Sequence, residues 1–388
     1  MWELTFPRTI VLGDGALEYL ENIEGQKALI ITDKIIQKLG FVERVAGHLA
    51  KAGLAISVFD DVEPEPCIET IMQGAKVARR FEPDWIIGLG GGSCMDAAKA
   101  IWVVYANPDI EVEEINPFAS LGLRERARLI CISTTSGSGS EATWAAIITD
   151  TKNEMKLELP SRELVADVAI IDPELPRSMS QELRAHTGLD VLAHAVEAYV
   201  SQWSNDFTDA LALRAIQFVF TYLLRAYKNP NDKEAREKMH NAATMAGMAF
   251  SNSQVGVAHA MGHSLGIIFN IYHGKAVGIL LPYSMEFSAI EARHRYAEIA
   301  RAVGIEARVD EDATEKLIKE LRQLNHQLGE PSSIKELGIN KEDFEKRLDD
   351  LIKRAASSTG VFVNPRVPST EDLRRLFLSA YNGDRVEF

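Results

Sequence analysis

The chain has 388 residues, 46% hydrophobic, 25% charged and 7% aromatic, a globular composition long enough for two cores. Its net charge of −14 repels phosphate backbones, which excludes nucleic acid as an expected partner. No apolar run reaches the roughly 18 residues that span a bilayer, "MWELTFPRTIVLGDG" lacks the charged and apolar regions of a secretion signal, and Cys67, Cys94 and Cys131 have no C-x-x-C spacing, so a cytoplasmic protein with reduced thiols and no membrane partner is expected.

In chain order, "KALIITD" (27–33) reads as a strand ending in an acid, and residues 34–53 as a helix with a glycine stop. "LAISVFDDV" (54–62) is strand-like and "CIETIMQGAKVARRFE" (67–82) helical. "DWIIGLGGGS" (84–93) is an apolar strand running into glycines, followed by a helix over 94–106. "ARLICISTT" (127–135) and "VADVAIID" (165–172) are further strands. Apolar strands alternating with amphipathic helices predict a parallel, Rossmann-like sheet covered on both faces. From about residue 181 no strand pattern remains; helices are predicted over 181–201, 206–227, 232–250, 257–268, 287–303, 313–328, 341–357 and 370–380. The expected organisation is an α/β domain over 1–180 and an all-helical domain over 181–388. Ligands then belong at the carboxyl ends of the strands and on helices of the second half.

Two loops stand out in the first half. In "GLGGGS" (88–93), Gly90, Gly91, Gly92 and Ser93 join a strand to a helix, so backbone N–H groups and the helix dipole can meet an anion such as a pyrophosphate. The full G-x-G-x-x-G fingerprint is missing there. "STTSGSGSEA" (133–142) fits G-x-G-x-x-A, but "TWAAIITD" after it reads as a strand and not the helix that fingerprint needs. This second loop is rich in hydroxyls, and Thr134, Thr135 and, just past it, Thr143 are candidates to contact a cofactor. Asp33 ends the first strand, where a carboxylate either takes the hydroxyls of an adenosine ribose or caps the following helix.

In the second half, Asp190 and His194 are four apart in "HTGLDVLAHAVEAYV", and His259 and His263 repeat that spacing in "AHAMGHSLG". Residues four apart share a helix face. With His273 these side chains can surround a divalent ion with nitrogen and oxygen donors, as Zn²⁺ or Fe²⁺ require. Taken singly, each histidine is an ordinary core residue, and His186, one turn before Asp190, is a rival ligand. His48, His240, His294 and His326 lie on charged helices and read as surface residues. Phe250 and Trp144 read as either pocket lining or core.

Taken together, "GGGSCMDAAKA", "TTSGSGSEAT", "TGLDVLAHAVEAY", "HAMGHSLG…YHG" and "NPR" (364–366) resemble the iron-containing (group III) alcohol dehydrogenase family over essentially the whole chain. The resemblance implies hydride transfer between a small alcohol or aldehyde and NAD(P), in an active site between an α/β dinucleotide-binding domain (1–180) and a metal-binding all-helical domain (181–388). It implies a metal, usually Fe²⁺ and in some members Zn²⁺, held by Asp190, His194, His259 and His273, with His263 beside the site and free to carry a proton. Gly90, Gly91, Gly92 and Ser93 match the pyrophosphate loop, Thr134 and Thr135 cofactor contacts, and Lys156 a further one. Asp33 stands where NAD-using members carry an acid, which favours NAD over NADP. Glu65 in "PEP" and Ala145 depart from asparagines found in some members and bear on cofactor affinity. A homodimer is expected on symmetry grounds. The nearer rival is a glycerol dehydrogenase-like polyol oxidoreductase. The remoter one, a dehydroquinate synthase-like lyase, would need a Lys/Arg cluster near the metal motifs, which the sequence lacks.

Overall fold

A computed structural model describes residues 3–153 and 155–388, so Met1 and Trp2 of the N-terminal stretch fall outside it. The chain divides into two compact units, Met1–Ser178 and Met179–Phe388.

The first unit contains β1 (Thr9–Leu12), β2 (Lys27–Ile31), α1 (Lys34–Lys38), α2 (Phe41–Lys51), β3 (Ala55–Phe59), α3 (Ile68–Phe81), β4 (Trp85–Gly90), α4 (Gly92–Ala106), β5 (Arg128–Ser133), β6 (Ala145–Asp150), β7 (Met155–Pro160) and β8 (Val168–Ile171). Six strands form one sheet in the order β1-β8-β5-β4-β2-β3, with every neighbouring pair parallel. Alternate residues explain why these strands are apolar throughout. Leu29, Ile31 and Ile86 join a core with residues of α3 and α4, while Ala28, Ile30 and Ile87 join a different core with Val42, Val45 and Leu49 of α2. From β2 the chain moves outward to β3, then returns to lay β4 on the other edge of β2. That reversal is a topological switch point, and ligands of such sheets bind outside the carboxyl ends of the strands there.

Three features differ from the pattern read in the sequence. Residues 34–53 are two helices, because Gly40 adopts a left-handed φ of 78° between them. β1 is too short to stand out. β7 buries little besides Leu159, so it shows no apolar run, yet it pairs antiparallel with β6 in a separate hairpin.

The second unit is helical, with no strand among the described residues: α5 (Gln181–Val200), α6 (Asp206–Lys228), α7 (Lys233–Ser253), α8 (Val257–Phe269), α9 (His273–Ala302), α10 (Asp310–Gln327), α11 (Lys341–Ala356), α12 (Thr359–Val363) and α13 (Thr370–Asn382). By length and composition α6 is, among the described residues, the one helix apolar enough to cross a membrane. Its Ala212, Ala215, Ile216, Val219 and Leu223 lie in one core with residues of α5 and α7. Helix α9 begins at His273 rather than near 287, since Pro282 and two glycines hide its first turns. The glycines serve close packing: a Cβ on Gly278 would stand 2.9 Å from the Leu189 side chain, and one on Gly274 would stand 2.3 Å from the His186 carbonyl oxygen. α9 therefore runs hard against α5 and starts with His273 beside it.

Candidate metal centre and cofactor loops

Helix α5 is capped by the Ser180 side chain, and its second half is buried on all sides. A carboxylate inside such a helix needs a partner. The ligand atoms of Asp190, His194, His259 and His273 lie within 4.8 Å of one another. Asp190 Oδ1 is 3.9 Å from His194 Nδ1, 3.6 Å from His259 Nε2 and 3.4 Å from His273 Nε2. These distances are too long for hydrogen bonds. Asp190 Oδ1, His194 Nδ1 and His259 Nε2 are all buried without a hydrogen-bond partner. Donors about 2.1 Å from a shared ion in tetrahedral array stand about 3.4 Å apart, so the cluster is compact enough to be a candidate for one cation.

At Asp190 and His194 the electrostatics agree with that fit. Burial works against the Asp190 carboxylate, but the imidazoles of His194, His273 and His259 outweigh it and hold the group far below the usual carboxylate range. Burial pushes the His194 imidazole down to about 3. The ionised acid and neutral imidazole are the forms that ligate. Burial also disfavours charge on His259, yet the carboxylates of Glu197 and Asp190 overcome it and raise that group to about 9.

Other side chains surround the cluster or depart from what the sequence predicts. Glu197, buried one turn past His194, puts Oε2 2.5 Å from His259 Nδ1. Phe250 stacks on His194 with centroids 4.2 Å apart, which makes it a wall of the cluster. His186 stands outside the cluster; its Nε2 lies 3.0 Å from the buried Glu330 Oε1. His263 is half-buried, its ring 4.8 Å from that of His273 and 6.1 Å from that of His259, beside the cluster and not in it. His240 is buried, contrary to its surface reading, because its otherwise polar helix α7 turns that face into the core.

In the first unit the candidate residues gather past the carboxyl ends of β2, β4 and β5. Gly90 has a φ of 151°, and a Cβ there would stand 2.5 Å from Cys94 Sγ. A Cβ on Gly92 would meet Ser138 Oγ at 3.0 Å, and one on Gly91 would meet Thr135 at 3.5 Å, so the two loops are apposed. The Thr134 N–H donates to the Gly90 carbonyl at 2.9 Å, and its buried hydroxyl has no partner. Helix α4 starts after Gly91 with no side-chain cap, which leaves its first N–H groups available to an anion. The Ser93 hydroxyl donates to the Pro64 carbonyl. Asp33 resolves its two readings in favour of a cap: Oδ1 accepts from the N–H groups of Ile35 and Ile36, and Oδ2 from the Cys94 thiol at 3.3 Å. Lys156 pairs with Glu65 at 3.1 Å, next to the turn that holds Ser93. Trp144 lies under the Arg162 guanidinium.

The hydroxyl-rich loop is held by a residue outside the motifs quoted for it. Lys99, on α4, is fully buried. Its Nζ donates to the Ser140 carbonyl at 2.7 Å, the Ala145 carbonyl at 2.8 Å, the Thr143 hydroxyl at 2.9 Å and the Ser140 hydroxyl at 3.1 Å. Burial lowers its pKa, against the attraction of Asp96. Thr143 is thus tied into the loop's support by its own hydroxyl.

Comparison with known proteins covers both units. Residues 7–173 match the family model of iron-containing alcohol dehydrogenase, and residues 184–381 that of the C-terminal part of the Fe-containing alcohol dehydrogenase family. The chain is 40% identical over 390 residues to the NADPH-dependent butanol dehydrogenase of Clostridium saccharobutylicum, covering 100% of each. It is 34% identical over 388 residues to the NAD-dependent methanol dehydrogenase of Bacillus methanolicus, covering 98% of this chain and 100% of that one. The crystal structure of a 1,3-propanediol oxidoreductase matches it with a TM-score of 0.91 at 32% identity, over 98% of this chain and 100% of the other.

Proposed function

Because this chain belongs to the iron-containing alcohol dehydrogenase family, and so interconverts alcohols and carbonyl compounds with NAD(P), we propose that Asp190, His194, His259 and His273 hold its Fe²⁺ ion and that the loops after β2, β4 and β5 hold its dinucleotide. One observation carries the reading. Three buried donor atoms of that foursome, with no hydrogen-bond partner of their own, converge with His273 within 4.8 Å of one another.

When bound, the divalent ion supplies Lewis acidity to the substrate oxygen and the nicotinamide takes up the hydride. The chain's residues do the rest. Asp190 contributes the one negative charge of the donor set and three imidazoles the neutral remainder. Gly90, Gly91 and Gly92 bring backbone close to the pyrophosphate, with the N–H groups of α4 directed at it. Thr134 offers its unpartnered hydroxyl, with Thr135, Ser93 and Lys156 around the same loops and Thr143 holding its loop to Lys99. His263, half-buried beside the ligand set, accepts the hydroxyl proton and passes it to solvent.

The substrate we propose is a short aliphatic alcohol such as 1-butanol, by analogy with the full-length butanol dehydrogenase relative. NAD is the proposed cofactor: Asp33 places a carboxylate at the end of β2, where it would receive the hydroxyls of an adenosine ribose and repel an added 2′-phosphate, even while capping α1. The relatives named above include users of each cofactor, so the choice rests on Asp33. A cytoplasmic homodimer completes the reading. The test is an activity screen with NAD and NADP over C2 to C6 alcohols, diols and aldehydes, with Fe²⁺ or Zn²⁺ restored anaerobically. Turnover of 1-butanol with NAD and Fe²⁺ is expected. Preference for polyols with Zn²⁺ supports the glycerol dehydrogenase-like alternative, and preference for NADP removes Asp33 as the determinant. His263→Ala is expected to lower kcat about 100-fold and alter its pH profile; an unchanged profile takes His263 out of the mechanism.

A further inference from the structure

We propose that Glu197 is the positioning residue of the metal centre: it dictates which nitrogen of His259 carries the proton, and so makes Nε2 the ligand. The proposal rests on the reading of His259 as a ligand. Glu197 is 3% exposed and uses both carboxylate oxygens as acceptors. Oε1 accepts the Ala258 N–H at 2.6 Å, and Oε2 faces His259 Nδ1 at 2.5 Å. An ionised carboxylate is acceptor-only, so Nδ1 must present a hydrogen to it. Nε2, which lies 3.6 Å from Asp190 Oδ1, then keeps its lone pair for the cation.

The same contact fixes the ring's place in space. Helix α8 follows Gly256 without a side-chain cap of its own. Its first N–H groups are taken by distant side chains instead: Val257 by Asn364 Oδ1 at 3.3 Å and Ala258 by Glu197. Asn364 is held in turn by the Ser288 hydroxyl at 2.9 Å and the Arg366 carbonyl at 2.7 Å. Gly256 makes room for both, since a Cβ there would stand 2.7 Å from Asn364 Oδ1 and 2.9 Å from Glu197 Oε1. The "NPR" segment and Glu197 thus cap one helix jointly, and that helix carries His259 in its first turn.

Glu197→Gln separates the tautomer role from packing, because the amide has the same shape but one acceptor. If the amide oxygen serves Ala258, the NH₂ group donates to Nδ1 and moves the ring proton to Nε2, where no metal can bind. If the oxygen serves His259, the NH₂ group opposes the Ala258 N–H. The test uses the full chain stripped of metal by chelation, with Co²⁺ affinity measured against a chromophoric chelator and NADH affinity by fluorescence. The expected result is a loss of Co²⁺ affinity of about 10–100-fold and an altered Co²⁺ absorption spectrum, with NADH affinity unchanged. Co²⁺ affinity within about twofold of the parent, while His259→Ala abolishes binding, overturns the role of Glu197. Unaltered Co²⁺ binding in His259→Ala instead overturns the ligand reading and this proposal with it. Should Glu197→Gln fail to fold, ¹⁵N-histidine NMR of the Zn²⁺-loaded parent decides: a protonated Nδ1 on His259 supports the proposal, and a metal-bound Nδ1 overturns it.

Discussion

In the sheet unit, the groups around the cofactor loops lean on one another. Asp33 caps α1 and takes the Cys94 thiol, Ser93 donates to Pro64, and Lys99 gathers Ser140, Thr143 and Ala145. In the helical unit, Asp190, His194 and His259 present buried atoms that bond to nothing. The first arrangement is held by hydrogen bonds within the protein. The second leaves three buried donor atoms without a hydrogen bond, so the ion proposed for them would add to the helical unit's stability as well as to its chemistry.

That contrast breaks if altering one unit disturbs the ligand of the other. The largest effect is expected from Asp190→Ala. With the only charged donor gone, metal content by elemental analysis should fall to about a tenth or less and kcat/KM by at least about 1,000-fold, while NADH affinity holds. Full occupancy with full activity would remove Asp190 from the site. Lys99→Met is the counterpart in the sheet unit. It leaves buried carbonyls without a donor, so denaturant unfolding should show a loss of about 3 kcal/mol, with weaker NADH binding and unchanged Co²⁺ affinity. Unchanged stability would mean that the loop holds itself. Gly90→Ala strains a backbone at φ 151° and places a methyl against Cys94. It should raise the KM for the dinucleotide about tenfold and leave metal content alone; an unchanged KM would discount the close approach of this loop.

How much of this was legible in sequence follows the same division. The ligand pairs stood out because helical spacing of four puts Asp190 with His194 and His259 with His263 on shared faces, and the glycine run stood out because few turns need so many. His263 illustrates the limit: its spacing is that of a ligand, and it takes the family resemblance to set it beside the cluster and to bring in His273 from the next helix, an arrangement that the ring positions share. Glu197 and Lys99 were missed for one reason. Each is a charge set among apolar residues, Glu197 in "AHAVEAYV" and Lys99, three residues after Asp96, in "MDAAKAIWVV", and that pattern says only that a partner exists, not who it is. The first turns of α9 were hidden because Pro282, Gly274 and Gly278 read as breakers, whereas the glycines are there for contact with α5.

A smaller effect sharpens the electrostatic side of the comparison. Glu197 and Asp190 raise the His259 imidazole to about 9 in the metal-free chain, so it is protonated near neutral pH. Since the folded value lies above the ordinary one, this charge pairing stabilises the metal-free unit at low and neutral pH and fades as pH rises through about 9. Metal uptake at pH 7 should therefore release about one proton, read by calorimetry in buffers of different ionisation enthalpy. No release would place His259 already neutral. NADH binding to the sheet unit should show no comparable release.

The most direct measurement is a crystal structure of the Fe²⁺-loaded chain with anomalous scattering recorded at the iron edge. A single peak about 2.0–2.2 Å from one Asp190 oxygen and one nitrogen each of His194, His259 and His273 is the predicted result. A peak elsewhere, or one lacking any of those four side chains in its ligand shell, would contradict it.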